Sequence, residues 1–201
     1  MLKTNDELVE YLINYRKVLK TPSIIDAFKS IDRVDFVNNR NKEKAYEDHP
    51  LPIAHYQTIS QPYTVAFMLE LLQAKEESVI LDVGCGSCYT TALLAKIANK
   101  GKVIGVEIIQ ELIEFCKNNL KKYNFENIEI YNADKIPPNE GEFDRILVSA
   151  SATSLPEELI DVLKENGRMV IPINSSIFLI QKIDGQILKE EFYGFAFVPL
   201  K

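Results

Sequence analysis

Basic charge is in short supply in this chain. Its 23 Lys and Arg stand against 29 Asp and Glu in 201 residues, a formal net charge of −6. Such a surface has no basic field with which to hold a polyanion, so nucleic acid and anionic membrane are excluded as general partners. Lys117, Lys121 and Lys122 form only a local patch at a predicted helix end, where cations complement the helix dipole. No apolar run approaches the roughly 20 residues of a membrane helix, and the opening Met1-Leu-Lys-Thr-Asn-Asp-Glu7 is charged where a secretion signal would be apolar. These absences predict a cytoplasmic protein without a membrane partner. Histidine is confined to His49 and His55, and cysteine to three residues. Cys85-Gly-Ser-Cys88 reads as a redox pair, as half a zinc site, or as two small residues lining a turn; no second C-x-x-C accompanies it, and no metal is expected. Cys116 reads as an isolated core residue, and the odd count fits a reducing compartment. Repeats and low-complexity tracts are also missing. A hydrophobic content of 46% is ample for one globular domain over residues 1–201, with helices and a loop in 1–60 and a sheet core in 61–201.

The pattern along the chain fills in that division. Thr4-Asn-Asp-Glu7 has the capping-box form and opens an amphipathic helix through Leu8, Tyr11, Leu12 and Tyr15. Thr21-Pro22 starts a second, with Ile24, Ile25, Phe28 and Ile31 on one face. A polar, structureless run follows at Asn38–Lys44, then the proline-rich Asp48-His-Pro-Leu-Pro-Ile53, and Ser60-Gln61-Pro62 leads into a helix to Leu72. From Ser78 strands and helices alternate, with strands near 78–83, 102–107, 127–131, 143–149 and 168–173 and helices near 88–98, 109–122 and 155–164. Alternation of this kind predicts an α/β fold with a doubly wound, mostly parallel sheet. Ile177–Lys182 and Gln186–Phe192, joined through Asp184-Gly185, read as an antiparallel hairpin at one sheet edge.

The richest segment is Val79-Ile-Leu-Asp-Val-Gly84-Cys85-Gly86-Ser87-Cys88-Tyr89, followed by a helical run and by Val103-Ile-Gly-Val-Glu107. An apolar strand ends in a glycine turn, a helix follows, and an acid closes the next strand, which is how a nucleotide-type cofactor is cradled. Gly84 and Gly86 remove β-carbons where a ligand must approach the backbone, and Glu107 can accept two hydrogen bonds from ribose hydroxyls. The bland alternative is a glycine turn that binds nothing. A dinucleotide fingerprint would need a further glycine at position 89 to seat a pyrophosphate at the helix N-terminus, and Tyr89 stands there, which disfavours an oxidoreductase. The form Asp-x-Gly-x-Gly-Ser with a ribose-binding acid after the second strand resembles motif I of the S-adenosylmethionine methyltransferases. That resemblance implies a Rossmann-like, seven-stranded class I methyltransferase sheet, S-adenosyl-L-methionine as cofactor with S-adenosyl-L-homocysteine as product, and cofactor contacts from Asp82, Gly84, Gly86, Ser87, Glu107 and Ile108.

A second block, Pro50-Leu-Pro-Ile-Ala54-His55-Tyr56-Gln57-Thr58-Ile59-Ser60-Gln61-Pro62, lies one helix ahead of that motif and resembles the protein-L-isoaspartate O-methyltransferases. Ile31-Asp-Arg-Val-Asp-Phe36-Val, Phe143-Asp-Arg-Ile-Leu-Val, Leu163-Lys-Glu-Asn-Gly-Arg-Met-Val-Ile-Pro172 and Phe197-Val-Pro-Leu200 are similar to further blocks of the family, so the likeness covers nearly the whole chain. It implies methylation of the free carboxylate of isoaspartyl residues in damaged proteins or peptides, by a monomer or weak homodimer. Ser60 would orient that carboxylate as a hydroxyl donor, with Ala54, His55 and Thr58 holding the peptide and Asp134 meeting the adenine amino group. From the residues alone Ser60 also reads as a helix N-cap, His55 as a packed or solvated histidine, and Asp134 as a turn-capping aspartate. The chain departs from the family pattern at Ala54, Cys88, Lys135 and Ser149-Ala-Ser-Ala152, and a β-carbon at Ala54 is expected to restrict φ and narrow the peptide groove. Two other readings stay open: a related methyltransferase with a different acceptor, and a non-catalytic protein that binds S-adenosylmethionine.

Overall fold

The computed structural model describes residues 2–132 and 141–200. The capping box forms in a shifted version: Thr4 Oγ1 accepts from the Glu7 N–H, while Glu7 Oε2 accepts from the N–H of Lys3, the residue before the cap. Helix α1 (Asn5–Glu10) continues into a π-helical turn, Tyr11–Tyr15, where the Arg16 N–H reaches back to the Tyr11 carbonyl. Leu8 and Leu12 are buried, whereas Tyr15, expected on the same face, is exposed. Helix α2 (Pro22–Ser30) buries Ile24, Ala27 and Phe28. The run at Asn38–Lys44 is not structureless, because Asn39–Lys44 winds into a 3-10 helix, the second after Arg33–Phe36.

A two-residue ladder of β1 (Leu51–Pro52) and β2 (Thr58–Ile59) follows, then helix α3 (Pro62–Leu72). From there the alternation runs β3 (Val79–Val83), α4 (Tyr89–Ile97), β4 (Lys102–Glu107), α5 (Gln110–Leu120), β5 (Ile128–Asn132), β6 (Phe143–Val148), α6 (Glu157–Asp161), β7 (Leu163–Ile173), β8 (Ser176–Ile183) and β9 (Gln186–Tyr193). The sheet has seven strands in the order β5-β4-β3-β6-β7-β8-β9, parallel as far as β7 and antiparallel for the last two pairs. The Asp184-Gly185 turn has positive φ at both residues, 52° and 72°, as a type I′ hairpin requires. Two boundaries differ from the pattern reading. Strand β7 begins at Leu163, because Phe143 pairs with Leu163 across a register shift, and this shortens α6 to Glu157–Asp161.

Alternation along the strands divides the core between the sheet's two faces. Ile80, Val103, Leu147 and Val170 pack with α1, α2, α3 and α4, while Leu81, Ile104, Ile146 and Met169 pack with Leu159 of α6. The N-terminal helices share the first of these clusters with the sheet. No helix of the described residues is long and apolar enough to cross a membrane.

Candidate active site

The strand order reverses direction between β3 and β6, and crevices in doubly wound sheets form at the carboxyl ends of strands beside such a point. Here the chain leaves Val83 into a turn with φ of +74° at Gly84 and +53° at Gly86, and the Gly84 and Cys85 N–H groups both bond the Val106 carbonyl. A β-carbon on Gly86 would meet nothing closer than 3.8 Å, so glycine is there for its dihedral and for the open space above it. Glu107, 7% exposed, locks the turn: its Oε2 accepts from the Gly86 N–H at 3.0 Å and its Oε1 from the Ile108 and Ile109 N–H groups at 2.9 and 3.0 Å. Three of the about four acceptor positions of a carboxylate are therefore filled by backbone, which leaves one rather than two for a ribose hydroxyl.

Asp82 is placed differently from Glu107. It is fully buried and absent from the cavity wall; its carboxylate accepts from the hydroxyls of Thr90, Thr91 and Ser149. Burial, opposed by those hydroxyls and reinforced by the nearby charge of Glu107, pushes its pKa up to about 6. Asp82 braces the end of β3 to the first turn of α4 and to the end of β6.

The cysteines also depart from expectation. Cys116 is not isolated: it forms a disulfide with Cys88, with the Cα atoms 5.0 Å apart, and Cys85 remains a buried thiol on the cavity wall, held protonated by burial and by the charges of Asp82 and Glu107. Cys88 holds φ at +65° as N-cap of α4, the conformation a glycine would adopt freely. The second sulfur of the C-x-x-C pair is thus bonded to Cys116 of α5, and all three cysteine sulfurs lie within 4.8 Å of one another.

The β1–β2 hairpin also contributes to the cavity wall, with Ile53 Cδ1 3.8 Å from where a Gly86 β-carbon would stand. Its turn places His55 and Tyr56 at positive φ, 53° and 59°, while Ala54 is not among the positive-φ residues, so the expected restriction falls on its two neighbours. Ala54 and His55 lie at the exposed tip and do not line the cavity; His55 Nε2 instead faces Glu111 Oε2 of α5 at 3.6 Å. Thr58 and Ser60 do line it. Ser60 is not the helix cap: the N-cap of α3 is Gln61, and the Tyr63 N–H is capped by Asp48 Oδ1 at 2.9 Å. The Ser60 hydroxyl has no hydrogen-bond partner among the described residues.

Together the structure gathers Thr58, Ser60, Gly84, Gly86, Ser87, Glu107 and Ile108 around one cavity of about 650 Å³, within the roughly 300–1,000 Å³ of small-molecule sites. Asp134 and Lys135 lie outside the described residues. The contributors that the motif reading missed include Gln57 beside the turn, Ser149-Ala150 after β6, and Val198–Leu200, which dock on Ser151 by hydrogen bonds of 2.8 Å to either side of Pro199. All three had a signal in sequence, since Gln57, Ser149-Ala150 and Val198–Leu200 fall in the segments compared above without a site role attached. Among the described residues the charged groups of the wall are Glu107, Glu158 and Asp161, and none is basic. A nucleoside cofactor without phosphate and with a positive charge fits such a wall; a pyrophosphate does not.

A doubly wound seven-stranded sheet with an antiparallel C-terminal pair, a glycine turn after the first parallel strand and an acid at the end of the second defines a class I S-adenosylmethionine-dependent methyltransferase. The comparisons narrow this. The family model of protein-L-isoaspartate (D-aspartate) O-methyltransferase matches residues 3–201. The chain is 38% identical to the protein-L-isoaspartate O-methyltransferase of Methanopyrus kandleri over 98% of its length and 91% of the relative's, and 40% identical to that of Petrotoga mobilis over 98% and 95%. Among solved structures it is similar to a Plasmodium falciparum protein-L-isoaspartate O-methyltransferase in complex with S-adenosyl-L-homocysteine, at a TM-score of 0.90 and 32% identity, covering 100% of this chain and 99% of that one. The chain belongs to the protein-L-isoaspartate O-methyltransferase family.

Proposed function

We propose that this protein methylates the free carboxylate of L-isoaspartyl residues in damaged proteins, and that Ser60 is the group that orients that carboxylate. The single observation that carries the residue assignment is that Ser60 lines the same cavity as the glycine turn while its hydroxyl is not used as a helix cap. When bound, S-adenosylmethionine supplies a methyl group on a sulfonium sulfur, and transfer to a carboxylate oxygen leaves S-adenosylhomocysteine and a methyl ester. An isoaspartyl carboxyl ionises near pH ~4 and is already a nucleophile at neutral pH, so the protein needs no general base and its task is alignment and exclusion of water. Glu107 holds the turn and one ribose hydroxyl, and the acidic wall favours a cation. Thr58 and Ser60, on the short β2 ladder and the residue after it, place hydrogen-bond donors at the mouth. Val198–Leu200 and Leu159 add apolar surface to the wall, which lowers the exposure of the reacting groups to water. The charge of −6 supports a protein substrate rather than nucleic acid, and a cytoplasmic location remains our reading of the composition. The test is methyl transfer from labelled cofactor to a short peptide with one isoaspartyl residue, beside its normal aspartyl counterpart. Selective labelling of the first is expected, and equal or absent labelling despite cofactor binding refutes the acceptor.

A further inference from the structure

Arg33 is fully buried, and among the described residues no carboxylate meets its guanidinium. Its donors go instead to three carbonyls from separated parts of the chain: Nε to Ala45 at 2.8 Å, Nη1 to Ser60 at 2.8 Å and Nη2, more loosely, to His49 at 3.4 Å. The guanidinium carbon also sits 5.6 Å from the centre of the Tyr89 ring, the first residue of α4 and part of the cavity wall. Burial lowers its pKa to about 10, with Tyr89 and Asp48 opposing, so the group stays charged at neutral pH.

A buried charge with no carboxylate in direct contact is a poor way to stabilise a core, and an apolar side chain of similar volume commonly does as well or better. What Arg33 does that an apolar residue cannot is gather carbonyls. Residues 45–61 have little regular structure of their own beyond the two-residue ladder, so their backbone groups need partners from elsewhere. Arg33 supplies three, and Asn38 and Asn41 donate to the Pro52 carbonyl from the same stretch of chain. The planar fork of arginine fixes direction as well as distance. A held Ser60 carbonyl fixes the Ser60 backbone and with it where the hydroxyl starts. The contact with Tyr89 refers that position to the glycine turn.

We propose that Arg33 is a positioning residue for methyl transfer, holding the carbonyls of Ala45, His49 and Ser60 so that the Ser60 hydroxyl stands at a fixed place relative to the cofactor cradle. The proposal rests on the reading of Ser60 as the group that orients the acceptor carboxylate. Its consequence is a separation of effects: loss of Arg33 disturbs the acceptor side and leaves the cofactor side alone.

The experiment compares the full-length wild type with Arg33→Met and Arg33→Lys. It reads kcat and KM for the isoaspartyl peptide, cofactor affinity by calorimetry, and amide hydrogen exchange across the chain. For Arg33→Met, kcat/KM is expected to fall about 100-fold, the scale of a 1 Å misplacement, with cofactor affinity within about twofold of wild type. Exchange should quicken in residues 45–61 and not in β3 and β4. Arg33→Lys, whose ammonium cannot hold three carbonyls in one plane, is expected to fall between the two, and it carries the same test if Arg33→Met does not fold. Unchanged turnover, cofactor affinity that falls in step with turnover, or exchange that quickens everywhere would each overturn the proposal. A wild type inactive on the isoaspartyl peptide would sink the acceptor reading; the exchange pattern would still show whether Arg33 holds the segment.

Discussion

Exchange of one oxygen for an amide nitrogen at Glu107 tests the cradle more sharply than deletion of the side chain. In Glu107→Gln the shape is kept, but the amide has one acceptor atom where the carboxylate has two. If the Gln oxygen takes the place of Oε1 it still serves Ile108 and Ile109, and the NH₂ then faces the Gly86 N–H, donor against donor, at the 3.0 Å of the native bond. The reverse orientation strands two backbone donors instead of one. At least one nearly buried N–H is left unpaired, which costs about 1–3 kcal/mol. A chain of this length should therefore melt roughly 2–10 °C lower without ligand. The position that would accept from ribose becomes a donor as well, with a loss of about 1.5–3 kcal/mol for a hydrogen bond to a charged group, or roughly 10- to 150-fold in affinity. The assay is calorimetric titration of the folded variant with S-adenosylmethionine and with S-adenosylhomocysteine. A lower melting point with affinities within about twofold of wild type would refute the ribose assignment and leave Glu107 as a turn lock alone.

Ser60→Ala is expected to lower kcat/KM for an isoaspartyl peptide by roughly 10- to 100-fold while cofactor affinity holds, and equal turnover would remove Ser60 from the site. Asp82 gives a pH signature. Its folded pKa, about 6, lies above the ordinary carboxylate value. The folded state therefore takes up the proton first as pH falls, and a destabilisation of up to about 3 kcal/mol, present above pH 6, is relieved between there and pH ~4. In Asp82→Asn that segment of the melting-temperature profile should flatten; a profile parallel to wild type would contradict the burial argument. Thiol titration of denatured protein is expected to find one reactive cysteine before reduction and three after it, and three from the outset would contradict the Cys88–Cys116 bond, which runs against the reducing compartment read from the cysteine count.

What was legible in sequence follows from where the signal is local. Strands β3 and β4, the glycine turn and the acid at Glu107 are written in consecutive residues. So is the Asp184-Gly185 hairpin, because only a short list of residues tolerates its dihedrals. The extension of β7 back to Leu163 depends on pairing with Phe143 in another strand, and Lys164-Glu-Asn-Gly carries no strand pattern of its own. The division of labour among the motif residues was also hidden. Asp82 and Glu107 look alike as carboxylates at the ends of neighbouring strands, yet one is spent on three hydroxyls and the other on three backbone amides, partners that lie up to 67 positions away. Cys116 gave no hint of Cys88, since a single cysteine in a helix has the same pattern whether or not a turn folds over it. Ser60 was ambiguous for a definite reason: serine two residues ahead of a helix-opening proline has the same local pattern as a cap, and only the placement of Asp48 decides against it.

The docking of Val198–Leu200 on Ser151 has a consequence for the order of events during synthesis. The glycine turn and Glu107 leave the ribosome early, but the wall facing them arrives only after β8 and β9 have been made. A nascent chain therefore carries a cleft that lacks one part of its wall until the last residues of the sheet and tail are made. Ligand linkage, which stabilises only what binds tightly, is withheld from every partly made species and acts on the completed fold.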